Sequence, residues 1–597
     1  MQTLFLDFET YFDKDYTLKK LSTSQYVRDK RFKAHGAQFA WGSFSAPEWV
    51  PHSDLTRFFA SIKWDETTLV AHHAHFEGFI LHTHYDAHPA RYLCTMSAAR
   101  AIHQGQQGVG LDELAKFHQL PGKPETLTKT KGIYDLPPEL ETEVAQYCAN
   151  DLLLTQEFSR LYLDKLPLKE LDLIDAFVSM FARPRLHIDV KRAQRARVTA
   201  KLMTRAAVRA TGRSFKEISG DKSFVALLKE HDVDCPTKPG KRGPIPALAK
   251  TDHEFDTLLG HENETIRNLA AARKTVSSRI EETRATRLME MGSTADGMLA
   301  VYYNYYGAHT GRLSGGDKMN LANLPRGGEL RKSILAPEGH SIVVADSSQI
   351  ECRTEAAVFD ETSLLTIFEN GEDPYCTLAG EIFRRPITKA DELERFVGKC
   401  ARLGLGYRMG ANHFHQVLAT GQMGRRVFIP LNECHNIVQV YRSLHPNIVN
   451  GWTLADDWIR FMCFGTGTMA FKFLTIDAKE RRIYLPNEMW LSYPQLHCFK
   501  GKYTYWNGRY AKNLHGGVVV ENLIQALSRI IVTDALLEIR KQYPVVMHTY
   551  DENTWVCPTD QAQEAAAFGL TAMRKRPAWL PNVPLDAETK YAEYYSK

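Results

Sequence analysis

The stretch "YPVVMHTYDENTWVCP", Tyr543 to Pro558, places two adjacent carboxylates, Asp551 and Glu552, between apolar and aromatic runs bounded by prolines. The pattern predicts two short strands folded back on each other, with the acid pair at or near the bend. Turns favour acidic residues for local hydrogen-bonding reasons, so the stretch alone fits a solvated turn. The pair acquires a chemical meaning only if a second set of carboxylates meets it.

The rest of the chain bounds where that set can lie. At 597 residues it is long enough for three or four domains. Its 44% hydrophobic and 24% charged content is that of an ordinary globular protein. A net charge of +4 is too small for the total to reveal a polyanionic partner, so only the distribution of charge carries information. The 10 cysteines are scattered without a C-x-x-C pair, which argues against a zinc ribbon or a disulfide framework and for a reducing compartment. No apolar run approaches the ~20 residues of a membrane span, and "MQTLFLDFET" lacks the basic region of a signal peptide. An intracellular, cytoplasmic multidomain protein is expected.

Strands and helices alternate over the first ~165 residues. "TLFLDF" and "TLVAHHAHF" read as strands, "LDELAKFHQL" and "ELETEVAQYCANDLLLTQEFSRLYL" as helices, which suggests an α/β domain. From ~170 to ~300 the pattern turns helical and basic. "DVKRAQRARVTAKLMTRAAVRATGR" and "RNLAAARKTVSSRIEETRATRL", the latter with Arg267, Arg273, Lys274, Arg279 and Arg284, flank the loop "CPTKPGKRGPIP". These helices fit a solvated surface and a grip on phosphate backbone equally well. A further α/β region opens at "HSIVVADSSQIECR". Helices are expected to ~415, an aromatic-rich irregular segment to ~515, then the helix "VENLIQALSRIIVTDALLEIRKQY" and the hairpin.

Two carboxylate constellations emerge. In "TLFLDFET" Asp7 and Glu9 are two residues apart on one strand and share a face. Two carboxylates about 4 Å apart repel by roughly 4 kcal/mol at an effective dielectric of 20, so basic groups or cations must neutralise them. Two divalent ions ~3.5–4 Å apart are the usual solution in nucleases and polymerases. "VAHHAHFEGFIL" adds Glu77, and "YCAND" places Tyr147 one helical turn before Asp151, where the phenol can hold an attacking water beside a metal. In the second constellation Asp346 ends an apolar strand and is followed by Gln349, Glu351 and Arg353. In "ADELERFVGKCARLGLGYRMGANHF" Arg395, Lys399, Leu403 and Tyr407 recur every four residues along one helix face. Arg395 and Lys399 suit a polyphosphate between them, although Asp391 stands four residues before Arg395 and could pair with it.

The first constellation resembles the three motifs of DEDDy 3′–5′ proofreading exonucleases. Asp7, Glu9, Tyr147 and Asp151 match the pattern directly. The second motif departs, with His73 and Glu77 where the family has Asn-x-x-x-Asp. The extra methylene of Glu77 displaces its oxygens by over an ångström, and octahedral Mg²⁺ tolerates little displacement. The second constellation resembles family A DNA polymerases: motif A is "DSSQIECR", motif B "RFVGKCARLGLGYRMG" and motif C the "YDE" of the hairpin. "HTGRLSGGDKMNLANLPRG" and "GGVVVENLIQALSR" resemble two more family signatures, and "WLPNVPLDAETKYAEYY" the end of phage members.

The resemblance implies an RNase H-like exonuclease domain over 1–165, followed by a right-hand polymerase domain. Its helical thumb would begin in 166–300, with the first palm segment and motif A in 301–360. Fingers with motif B and the aromatic-rich insertion would occupy 361–515, and the second palm segment with motif C 516–597. It implies Asp346 and Asp551 as ligands of two Mg²⁺ ions (Mn²⁺ a possible substitute), Glu552 as a supporting acid, and Asp7, Glu9, Glu77 and Asp151 as ligands of two more. Arg395 and Lys399 would bind the triphosphate, with Lys399 a candidate proton donor to pyrophosphate. Tyr407, Gln349, Tyr375 and Leu403 would line the nucleotide pocket, and Glu351 would exclude a 2′-hydroxyl. Thr310, Arg312, Asn320 and Gln525 would contact DNA, Arg312 and Gln525 in the minor groove. Leu403 stands where the family has an aromatic, Arg408 where it has a glycine, and Tyr375 and Tyr550 where it has histidines. The implied protein is a monomeric phage replicative polymerase acting on primer-template DNA, dNTPs and single-stranded 3′ ends, without a 5′-nuclease domain. The alternatives are a 3′–5′ exonuclease with an inactive polymerase-like part, and a polymerase whose exonuclease Glu77 weakens.

Overall fold

A computed structural model describes residues 2–122, 127–240, 243–249, 252, 254–277 and 280–596; Lys241, Arg242 and Arg279 of the expected basic patch lie outside them. The chain forms two compact units. One comprises Met1–Ile188, Met291–Thr354 and Thr453–Lys597, the other Asp189–Glu290 and Glu355–Trp452.

The first unit opens with β1 (Gln2–Thr10), β2 (Ala34–Trp41), β3 (Glu48–Pro51), β4 (Thr67–Ala71) and β5 (Arg91–Cys94), in the order β3-β2-β1-β4-β5. β1 is antiparallel to β2 and parallel to β4, which is parallel to β5. Leu4, Phe5 and Leu6 are all buried, as the central strand of a sheet covered on both faces requires. This is the α/β arrangement expected of the first ~165 residues. The expected strand "TLVAHHAHF" stops at Ala71, and a helix runs from Ala74 to Tyr85. Beyond Ala71 the apolar positions Phe76, Phe79 and Ile80 recur at helical spacing, and a helix buries all three. Glu77 therefore lies in the first turn of a helix.

Later segments of this unit build a four-stranded antiparallel sheet. Its order is Val545–Thr549, Glu552–Pro558, His340–Ser347, Ala587–Ala592. Val343, Ala345, Trp555 and Cys557 turn one face toward the helices Gly516–Arg540 and Ala562–Arg574, where Ile531, Ala535 and Ala565 complete the core. Gly516–Arg540 is the one helix among the described residues long and apolar enough to cross a membrane, but its apolar window is mostly buried inside the fold. All ten cysteines are free.

The segment expected to be irregular up to ~515 is ordered. The helix Pro446–Phe464 is followed by a four-stranded sheet within 468–492 and a three-stranded sheet of His497–Phe499, Lys502–Trp506 and Ala511–Leu514. Aromatics on both faces of these strands hide the period-2 alternation that would have signalled them. The stretch 361–515 is also divided between the units, at Trp452/Thr453.

The second unit is helical. Phe224, Leu227, Phe255, Ile266 and Leu269 form a core beside the basic helices Val190–Arg209 and Glu264–Ser277. Arg273 is buried, donates to the Ile218 carbonyl and pairs with Asp221, so this cation serves the fold rather than a phosphate. The second segment contains the helices Pro374–Phe383 and Glu392–Leu405.

Candidate active sites

The hairpin read from the sequence is present. Thr549 pairs with Glu552, leaving Tyr550 and Asp551 as a two-residue turn. Tyr550 has φ +54°, a left-handed conformation that a tyrosine rarely adopts, and its side chain is half exposed. Asp346 lies opposite Glu552 in the neighbouring strand, and the Ser347 amide donates to the Asp551 carbonyl at 2.9 Å. The ends of two adjacent strands thus bring Asp346 and Asp551 together. Burial raises the Asp551 carboxyl above the usual range; Arg326 and Arg312 oppose the shift and Glu351 adds to it.

Glu552 has a different environment. It is 1% exposed and accepts the Tyr595 hydroxyl at 2.5 Å and the Thr554 hydroxyl at 3.2 Å. Burial raises its carboxyl, and the Tyr595 bond works against that. The Arg331 guanidinium sits 4.8 Å from the centre of the Tyr595 ring. Glu552 is therefore clamped inside the sheet while Asp551 stands at the turn.

The expected DNA contacts cluster near this turn. Arg312 and Asn320 line a small crevice with Tyr550 and His548, and Arg312 is ion-paired with Glu351. The Asn320 side chain also caps the short turn that follows it. Thr310 donates to Gln525 at 3.5 Å, and Gln525 donates to Glu521 at 3.2 Å. Gln349 is a second motif residue with positive φ, at +47°. Four residues beyond Gln525, Arg529 is fully buried and paired with Glu170 at 2.8 and 3.0 Å. Glu170 also accepts from Tyr305, and from Asn487 at 2.9 Å.

In the helical unit, Arg395, Lys399 and Leu403 lie on Glu392–Leu405, and Tyr407 lies just past its end. Asp391 is not the partner of Arg395. It pairs with Arg385 at 2.8 Å, while Arg395 reaches Asp373 at 2.8 Å. Asp373 also caps the helix that carries Tyr375, whose ring centre is 5.4 Å from the Arg395 guanidinium. Two nucleotide-pocket candidates are thereby locked side by side. Gly398 permits this approach: a Cβ there would sit 2.2 Å from the Tyr375 carbonyl. Arg408, unexplained by the sequence, has φ +65°, a left-handed conformation that glycine adopts freely and arginine meets under strain.

The N-terminal carboxylates also converge. Ligand atoms of Asp7, Glu9 and Cys148 lie within 4.8 Å of one another. The Cys148 thiol donates to Asp7 Oδ2 at 3.3 Å, and burial together with Asp7 and Glu9 raises it well above the ordinary thiol range. Cys148 is thus a neutral donor beside Asp7. Tyr147 and Asp151 are buried on the helix Pro138–Tyr162. Glu77 is 4% exposed, and its carboxyl is raised strongly, by burial first and then by Asp7. Its Oε2 is buried without a hydrogen bond. A buried carboxylate oxygen without a donor, next to further carboxylates, is the donor set that fits a divalent cation. His73 instead points to Tyr302, at 2.8 Å.

Comparison with known proteins matches residues 190–463 to the DNA polymerase family A model. Relatives include the thermostable DNA polymerase I of Thermus aquaticus, 29% identical over 29% of this chain and 20% of its own, and the DNA polymerase I of Pseudomonas aeruginosa, 33% identical over 22% and 15%. This chain therefore spans about a fifth or less of these two relatives. The DNA polymerase of Bacillus phage SP02 is 23% identical over 100% of both chains. The solved structure titled "POL domain of Pol1 from M. smegmatis complex with DNA primer-template and dNTP" aligns with 99% of this chain and 95% of its own, with TM-score 0.68 and 17% identity. Residues 190–463 thus resemble DNA polymerase family A, and the whole chain shares the fold of the solved polymerase domain. The sequence alone did not single out Tyr595, Arg326, Cys148 or the Glu170–Arg529 pair. Tyr595, Arg326, Cys148 and Arg529 lie in the stretches "KYAEYY", "NLPRG", "YCAND" and "GGVVVENLIQALSR", but nothing local tells which carboxylate each serves.

Proposed function

We propose that this chain is a DNA-templated DNA polymerase that also degrades DNA from the 3′ end, as a phage replicative enzyme does. The observation that carries the first activity is the placement of Asp346 and Asp551 at the ends of adjacent strands. Both are partly buried, and the Arg326 and Arg312 charges act on Asp551. Such a pair fits two Mg²⁺ ions, which when bound supply charge neutralisation of the triphosphate and a lowered pKa for the primer hydroxyl. The chain's own part is positioning. The sheet fixes both carboxylates in advance, so little reorganisation accompanies reaction. Arg395, oriented by Asp373, and Lys399 are the groups for a triphosphate, and Lys399 is the candidate proton donor to pyrophosphate. Glu351 lies under the sugar, and Arg312 and Gln525 follow the minor groove.

The degrading activity rests on Asp7, Glu9, Glu77 and Asp151 as the cation-binding set, with Tyr147 orienting the attacking water. The orphaned Glu77 oxygen favours an occupied site over the alternative of an exonuclease inactivated by its glutamate. Primer extension with Mg²⁺ and dNTPs, with 3′ shortening followed in the same reaction, tests both activities. Extension lost on Asp551→Ala with shortening intact is the expected result. Shortening without any extension by the parent chain would favour a nuclease with an inactive polymerase-like part.

A further inference from the structure

The three-stranded sheet of His497–Phe499, Lys502–Trp506 and Ala511–Leu514 lies outside the family-model match, and none of the roles assigned so far uses it. Its composition is one-sided. Between Glu488 and Glu521 there is no Asp or Glu, while Lys500, Lys502, Arg509 and Lys512 are all exposed. Among the described residues none of these four cations makes an ion pair. Lysines on edge strands are a common guard against aggregation, but that guard does not account for the aromatics beside them. Phe499 is 67% exposed and Tyr510 59% exposed, each at a hairpin end, and the Lys500 ammonium stands 5.4 Å from the Phe499 ring centre.

The sheet is a fixed platform rather than a loose flap. Tyr505 is buried against Tyr493 and His309, with ring centres 5.2 and 6.0 Å away. His309 meets the Ser492 carbonyl at 2.8 Å, and Gln106 donates to the Ser492 hydroxyl at 3.0 Å. The backbone at Gly508 lies so close to Gly105 that a Cβ would fall 1.9 Å from its carbonyl oxygen. His309 directly precedes Thr310, and the Lys512 charge acts on both His309 and Glu521. The sheet therefore adjoins the loop and helix that carry Thr310, Arg312 and Gln525 on its Tyr505–Lys512 side, while Phe499 and Lys502 pair on the opposite face.

Exposed cations with interleaved exposed aromatics and no carboxylates match a single-stranded nucleic acid, whose phosphates need charge and whose unpaired bases offer faces for stacking. We propose that this sheet is a second DNA-contact surface that takes single-stranded DNA, holding phosphates with Lys500, Lys502 and Arg509 and stacking bases on Phe499 and Tyr510. It goes beyond the polymerase reading and does not need catalysis.

The test is fluorescence anisotropy of the full chain with a labelled oligothymidylate of about 16 nucleotides and with a blunt duplex of similar length, titrated with salt. The triple variant K500E/K502E/R509E is expected to bind the oligothymidylate at least about tenfold more weakly, with a salt slope shallower by roughly 2. The double variant F499A/Y510A is expected to lose about tenfold with the parental slope, because stacking releases no counterions. Blunt-duplex binding should change by less than about threefold in both. Parental affinity and slope in both variants would overturn the proposal, as would a duplex that loses as much as the single strand. Extension of a primer with a one-nucleotide template overhang checks that the variants fold. If the parent itself does not extend, the polymerase reading fails while the binding result stands.

Discussion

The two carboxylate sites are made of the same residue types and solve their charge problem differently. At the C-terminal site Asp551 sits at a turn with Arg312 and Arg326 nearby, and Glu552 is held inside by Tyr595 and Thr554. At the N-terminal site the neighbour of Asp7 is a neutral thiol, and Glu77 is buried with an oxygen lacking any donor. Phenol, hydroxyl and guanidinium groups act on Asp551 and Glu552, whereas burial and a thiol dominate around Glu77 and Asp7.

The comparison predicts separable losses. Asp551→Asn should lower synthesis by about three orders of magnitude and leave 3′ shortening unchanged, and Asp7→Ala should do the reverse; primer extension and single-strand degradation assayed side by side decide it. Joint loss in either variant would mean that the two sites are not independent. Next in size, Glu77→Asp removes one methylene and keeps the acid. Shortening should rise severalfold if the extra methylene misplaces the oxygens, whereas Glu77→Gln should reduce it as strongly as Asp7→Ala.

Tyr595→Phe sharpens the other half. It removes a hydrogen bond to a buried carboxylate, worth about 1.5–3 kcal/mol, measurable by denaturant unfolding. The pH sign follows from the raised Glu552 carboxyl. A group raised in the folded state contributes stability at low pH that is lost as pH rises above its unfolded value. Tyr595 favours the ionised form, so the variant's deficit should grow from acidic to neutral pH. An equal deficit at both would mean that the phenol does not serve the charge. The smallest effects concern the backbone: Arg408→Gly relieves a left-handed arginine but frees the unfolded chain, and the two terms nearly cancel to within about 1 kcal/mol. A thermal midpoint moved by only a few degrees is expected.

How much of this was legible followed from the range of the interactions. The hairpin and its acid bend could be read because strand patterning and turn position are local, and β1 because Asp7 and Glu9 share a strand face. Glu77 was placed after a strand because the helix register beyond Ala71 emerges only when Phe76, Phe79 and Ile80 are given one common core. The sheets between 468 and 514 were missed because residues such as Trp506 and Tyr505 supply aromatics to both faces. The partners of the charges were the least readable. Asp391 four residues before Arg395 is the natural local pair, yet Asp373, 22 residues away in sequence, wins it. Tyr595 meets Glu552 across 43 residues. Spacing along the chain cannot rank such competitors.

The helix Leu168–Ala182 has a practical consequence for anyone wishing to silence the N-terminal site. On one side Asp175 accepts the Tyr92 amide of β5 at 2.8 Å; on the other it pairs with Arg540 at 2.7 Å, while Glu170 neutralises Arg529. Removing residues through 188 would strand Arg529 as a buried lone cation, a defect of about 3–5 kcal/mol. Cutting after 165 would keep Glu170 but open to water the face of the helix that receives Tyr92. The helix is joinery shared by two rooms, and a point substitution at Asp7 empties one of them without touching the wall.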